Sequence, residues 1–96
     1  MKRILVIGRH TLGLASVLNR LYENDFDSIG AVTDAEALSL FERFQPDVVL
    51  IIGDVEAASK TLFHAVFTEK NAFLPVIEHI GSVAGIVEKI TLALHK

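Results

Sequence analysis

Val48-Val49-Leu50-Ile51-Ile52 is an unbroken apolar run, mostly β-branched, and it is stopped at once by Gly53-Asp54. A strand with one wet face alternates apolar and polar residues. An uninterrupted run belongs instead to a strand covered on both faces, at the centre of a parallel sheet. Such a strand requires helices above and below it. Ile4-Leu5-Val6-Ile7, ending at Gly8, is a second run of the same kind.

Between these runs the apolar period switches to that of a helix. Residues 12 to 24 carry Leu14, Leu18, Leu21 and Tyr22 on one stripe, and residues 28 to 32 read as a short second strand. Thr33-Asp34-Ala35-Glu36 has the capping-box spacing of a helix start, followed by Ala37, Leu38, Phe41 and Phe44 as the buried stripe. Gln45-Pro46 ends that helix. Residues 56 to 70 predict a third helix with Ala58, Leu62, Ala65 and Val66 on its core stripe. Phe73 to Ile77 reads as a fourth strand, and Pro75 suits a sheet edge. The last helix is expected from Ser82, its N-cap, with Val83, Val87, Ile90 and Leu94 at helical spacing.

The pattern βαβαβαβα implies a single α/β domain over residues 1 to 96, a three-layer sandwich with helices on both faces of a parallel four-stranded sheet. Right-handed crossovers, with the two most apolar strands in the middle, give strand order 2-1-3-4. The final helix should then lie beside the first. In such a sheet ligands sit outside the carboxyl ends of the strands, where the winding reverses between strands one and three.

Composition removes several functions. The 96 residues are 51% hydrophobic and 22% charged, which is incompatible with disorder. A net charge of −3 offers no footprint for nucleic acid or an anionic membrane. The absence of cysteine removes disulfides, thiolate nucleophiles and cysteine-held metals. No leader-like segment follows Lys2-Arg3, and no run is long enough to span a bilayer, so the expected location is cytoplasmic.

Gly8-Arg9-His10-Thr11-Leu12-Gly13 joins the first strand to the first helix. Free N–H groups at a helix start favour anions, and Arg9 would add a bidentate donor. This turn is therefore the candidate site for a small anionic ligand, a nucleotide or other phosphate, bound at the amides of His10 to Gly13. The dinucleotide fingerprint has a glycine where this chain has His10, and Asp34 stands where that fold's ribose-binding acid would be. The other reading is structural: Gly8 and Gly13 permit a tight turn and close helix–strand packing. His10, Asp54, Glu78 and His79 are expected along one rim of the sheet, where a His–carboxylate pair can move protons or bind zinc, or simply be solvated. Their spacing matches no metal motif, so no metal, cofactor or catalytic residue is assigned. His64 and His95 receive no role. Phe63 and Phe67, one turn apart beside the third helix's stripe, either bury that helix more than halfway round or form a docking surface.

The layout resembles the receiver domain of two-component response regulators over most of the chain. Pro46 to Ile52 is similar to the receiver's third strand, Leu74-Pro75-Val76-Ile77 to its fourth, and residues 82 to 96 to its last helix. The acidic pair that follows strand one in that family is replaced by Gly8, Arg9 and His10, and the phosphoacceptor position falls on Ile52, with Asp54 two residues beyond. Helix four and strand five of the family are missing. The resemblance implies a degenerate, shortened receiver, a non-catalytic signalling or interaction module that takes no phosphoryl group. The Gly8 to Gly13 turn is also similar to that of nucleotide-binding domains regulating potassium transport. As Gly8-x-His10-x-x-Gly13 it resembles the cobalamin-binding motif too, without that motif's Asp. The expected partner is a protein, most simply a second copy, docked through Phe63 and Phe67 on the third helix, through the fourth strand, or through both.

Overall fold

In the computed structural model, which describes residues 1–95, strands and helices alternate along the chain. They are β1 (Arg3–Ile7), α1 (Thr11–Glu23), β2 (Asp27–Ala31), α2 (Asp34–Phe44), β3 (Val48–Ile52), α3 (Ala57–Lys70), β4 (Val76–His79) and α4 (Ile86–Leu94). All three pairings are parallel, and the order is β2-β1-β3-β4, as the apolar runs require. β1 pairs Leu5 with Ile29 on one side and with Val49 on the other.

Alternate residues of the two central strands feed two cores. Leu5, Ile7, Val49 and Ile51 pack under α2 and α3 with Ala37, Phe63 and Phe67. Ile4, Val6, Val48 and Leu50 pack on the other face with Leu14, Val17 and Leu21 of α1 and Ile86 and Ile90 of α4. The last helix therefore lies beside the first, over the same core.

The capping box forms at α2. Thr33 Oγ1 accepts from the Glu36 N–H at 3.1 Å, and the Glu36 carboxylate accepts from the Val32 N–H at 2.8 Å. The helix closes on Gln45 in the left-handed region (φ 52°), one residue ahead of Pro46.

Four elements depart from the sequence reading. The buried stripe of α3 is Ser59, Phe63 and Phe67, whereas Ala58, Leu62 and Ala65 face water. The Phe67 ring stacks on Phe41 of α2, centroids 4.2 Å apart, and on Phe63 at 5.5 Å. Both rings are 0% exposed, so Phe63 and Phe67 are core residues and not a docking surface. The physical reason is area: two phenyl rings bury more apolar surface than the alanines of the competing stripe, so the helix rotates to place them inward.

The fourth strand begins at Val76 and not at Phe73. A turn comes first, with Asn71 Oδ1 accepting from the Phe73 N–H at 3.1 Å, and Phe73 is 95% exposed. Pro75 joins the sheet only through its carbonyl, which accepts from Val49 N at 3.0 Å. The last helix begins at Ile86 after Gly85 (φ 86°), so Ser82 does not cap it and its core residues are Ile86, Ile90 and Ala93. In α1, Val17 is buried and Tyr22 is exposed.

Close helix–strand packing falls on a different glycine from the two expected. A Cβ on Gly13 would meet nothing within 4 Å, whereas one on Gly30 of β2 would lie 2.9 Å from Leu14 Cδ2 and 3.1 Å from Leu18 Cδ1. Gly30→Val should therefore destabilise the domain by about 1–2 kcal/mol through overpacking against α1. Gly13→Ala should stabilise it by about 0.5 kcal/mol, because glycine is a poor helix former. Urea unfolding of both variants checks the pair, and a destabilised Gly13→Ala would contradict the assignment.

Candidate functional site

The carboxyl ends of the strands carry polar residues because the chain leaves the sheet there and its backbone groups need partners. At this rim Asp54, just after β3, turns back over the loop that follows β1. Its carboxylate accepts from the Arg9 N–H at 3.1 Å and from the His10 N–H at 3.1 Å, and its Oδ2 lies 3.3 Å from His10 Nδ1. The first free amides of the loop thus already hold an anion, supplied by the chain itself.

The Arg9 side chain runs the other way, towards α2 and α3, and is only 18% exposed. Its Nη1 donates to Val32 O at 2.9 Å and its Nε to Glu56 Oε1 at 2.9 Å. Nη2 donates to Asp34 Oδ1 at 2.5 Å, Glu56 Oε2 at 3.1 Å and Ser59 Oγ at 3.0 Å. Ser59 Oγ in turn donates to Asp34 Oδ2 at 2.7 Å. One planar guanidinium thereby ties the ends of β1 and β2 to the starts of α2 and α3, the fork geometry for which arginine is suited.

At the turn expected to bind an anion through Arg9, His10, Thr11 and Gly13, these contacts occupy the Arg9 side chain and the Arg9 and His10 amides. Arg9 is saturated by acceptors within the chain, and an anion at the turn would meet the Asp54 carboxylate. Asp34 and Glu56 flank the guanidinium and Asp54 sits at the Arg9 and His10 amides, so three carboxylates stand near one arginine. Thr11 is the exposed first residue of α1 and caps nothing; the N-cap is His10, whose side chain makes no capping bond. Gly8 is buried and donates to Ala31 O at 3.0 Å, continuing the β1–β2 ladder.

The four rim residues do not form one cluster. His10 sits with Asp54. Glu78 points to the α3 side, 2.9 Å from His64 Nε2 and 3.4 Å from Lys60 Nζ. His79 points to the α4 side, where Nε2 lies 2.6 Å from Ser82 O. Among the described residues, no group of three or more His, Asp or Glu side chains is placed to hold a metal ion. Glu56, Ser59 and the Glu78 partner His64 were not singled out from the sequence. A readable signal did exist for Glu56: like Asp34, it follows the end of a parallel strand, at the level of Arg9.

Hydrogen bonds from Arg9, then Ser59, hold Asp34 below its ordinary carboxylate value, and Arg9 does the same for Glu56. His64, then Lys60, lowers Glu78. Groups with depressed folded pKa values stabilise the fold fully above their unfolded values, 3.8 for Asp34 and 4.5 for the two glutamates. That contribution is lost as pH falls through the lower folded values. Melting temperature should therefore be level above about pH 5 and fall below it. The fall should be shallower in Arg9→Gln, and equal acid limbs in both proteins would contradict the linkage.

No family model and no curated protein matches this chain. Solved structures do. The response regulator TrrA of Thermotoga maritima, in complex with Mg2+ and BeF, superposes with a TM-score of 0.80 at 18% identity, over 98% of this chain and 100% of that one. A receiver-modulated diguanylate cyclase from Pelobacter carbinolicus gives 0.79 at 16% identity, over 99% and 93%. A receiver domain protein from Clostridium thermocellum gives 0.70 at 19%, over 99% and 75%. The chain has the fold of response-regulator receiver domains, with a four-stranded sheet in the order 2-1-3-4.

Proposed function

We propose that this domain is a receiver-like interaction module that works by docking to protein and takes no phosphoryl group. The observation that carries this reading is the place of Arg9. Phosphoryl transfer to a carboxylate needs a divalent cation to neutralise the transferring group, held by clustered, free carboxylate oxygens. Here the rim carboxylates have other partners: Asp34 and Glu56 bond the guanidinium, and Asp54 bonds two backbone amides. These residues do not fit a magnesium ion. A fixed organic cation holds the loops in one arrangement instead, and a module built this way has no metal-dependent state to switch into.

The test uses the Mg2+ and beryllofluoride present in the TrrA structure. Backbone amide spectra should be unchanged at Arg9, His10 and Asp54 when both are added at millimolar concentration. Saturable shifts at those amides would overturn the reading.

The partner in this reading is a second copy, docked on the outer face of α4. Support comes from Val87, Thr91 and Leu92, which border a shallow groove of about 280 Å3, with Leu92 exposed. Association edge to edge through β4 is disfavoured, because Lys89 Nζ caps the Glu78 carbonyl at 2.8 Å and charged side chains guard strand edges. Sedimentation at micromolar concentration should give a dimer that Leu92→Glu dissociates; a monomeric parent protein would contradict it.

A further inference from the structure

The segment that joins β4 to α4, residues 80–85, is a strap over the α1–α4 side of the rim. Gly81, Ser82 and Val83 form one wall of a cavity of about 180 Å3 there, whose apolar lining includes Val17, Ile52 and Ile86. Both glycines of the strap, Gly81 (φ 102°) and Gly85 (φ 86°), take left-handed backbone angles, and nothing lies within 4 Å of either Cβ position. The strap therefore turns on two unobstructed glycines. Its middle is tied down by the His79 ring, whose Nε2 lies 2.6 Å from Ser82 O. A carbonyl only accepts, so Nε2 carries the proton and Nδ1 is bare. The ring is 8% exposed, and Nδ1 is buried with no partner.

A second proton on this ring would make Nδ1 a donor with no acceptor, in a place that water does not reach. Burying an unpaired charge costs far more than burying the neutral ring. The groups around His79 do not relieve that cost. Asp54 and His10 line the same cavity, but the Asp54 carboxylate accepts from the Arg9 and His10 amides. β3 places Ile52 beside His79, and α1 brings Gly13, Leu14, Ser16 and Val17 to the cavity, all uncharged. On α4, Lys89 Nζ donates to the Glu78 carbonyl and Glu88 borders the outer groove. Glu78 itself faces the α3 side, with His64 and Lys60. We propose that His79 is a proton-sensitive latch: the neutral ring holds the strap closed through Ser82, and the protonated ring turns out to water and releases residues 80–85. Release uncovers one side of the apolar wall formed by Val17, Ile52 and Ile86. The change is local, since Val83 is the strap residue that packs against a core, so the melting temperature moves little and the strap itself is the readout. This device goes beyond the docking reading and does not depend on it.

The test follows isotope-labelled protein by nuclear magnetic resonance from about pH 8 to about pH 5, the range in which histidine changes charge. At the upper end the His79 ring nitrogens should report the Nε2–H tautomer, and amide order parameters over residues 80–85 should be about 0.85. At the lower end those order parameters should fall below about 0.6, with a midpoint shared by the His79 ring. His79→Gln offers an amide N–H to Ser82 O but does not titrate, so the order of its strap should not change with pH. His10→Gln removes the other histidine at the cavity and should leave the transition in place. If the glutamine variant at position 79 fails to fold, the titration of the parent protein decides alone. An Nδ1–H tautomer at neutral pH, a strap equally ordered at both ends of the range, or the same transition in folded His79→Gln would each overturn the proposal.

Discussion

Phe67→Ala should destabilise the domain by about 3–5 kcal/mol, the range for removing a buried phenyl ring from a core that collapses only partly around the gap. The ring is fully buried and touches two other phenyl rings, so its loss also removes both stacking contacts. A domain of this size has a total stability of roughly 5–15 kcal/mol, so the variant should sit near its unfolding threshold. Phe67→Glu should not fold, because the carboxylate would be buried without a partner. Urea denaturation measures the first and circular dichroism the second. A folded Phe67→Glu with parent-like stability would place the ring on the surface after all.

Arg9→Met should cost about 2 kcal/mol, which for 96 residues is a fall in melting temperature of roughly 10 °C. The figure rests on the acceptors left behind at Val32 O, Asp34 and Ser59, and it is reduced because Asp34 is partly solvated. Glu56 is exposed and is not counted. Arg9→Lys should recover less than half of the loss, since one ammonium cannot meet acceptors set around a planar fork. Thermal melts of the three proteins decide it. A lysine variant as stable as the parent would show that charge alone, without the fork, holds the rim.

The fold was legible wherever one segment's signal had no competitor. Val48 to Ile52 reads as a doubly covered strand and is one, and the Thr33–Glu36 cap needed only local chemistry. The misread elements were those where a local signal competed with a tertiary one. Ala58, Leu62, Ala65 and Val66 make a good stripe on paper, but the partner that decides the rotation of α3 is Phe41 on another helix. Phe73 and Leu74 look like strand residues, yet Asn71 turns the chain first and Pro75 has no N–H to give. At the rim the sequence named Gly8, Arg9, His10, Asp54 and His79 as neighbours of the strand ends, but not their partners. Whether Arg9 faces a ligand or Asp34 and Glu56 depends on one side-chain direction, which no spacing rule encodes. The Glu78–His64 pair was hidden for a related reason: two strand-end residues in sequence order, Glu78 and His79, project to opposite faces of the sheet.

We propose that the domain takes no phosphoryl group because Asp34, Asp54 and Glu56 already hold other partners. Intact mass spectrometry after incubation with Mg2+ and acetyl phosphate tests it most directly. The mass of the protein should be unchanged. A stable phosphoryl adduct mapped to Asp54 would contradict it.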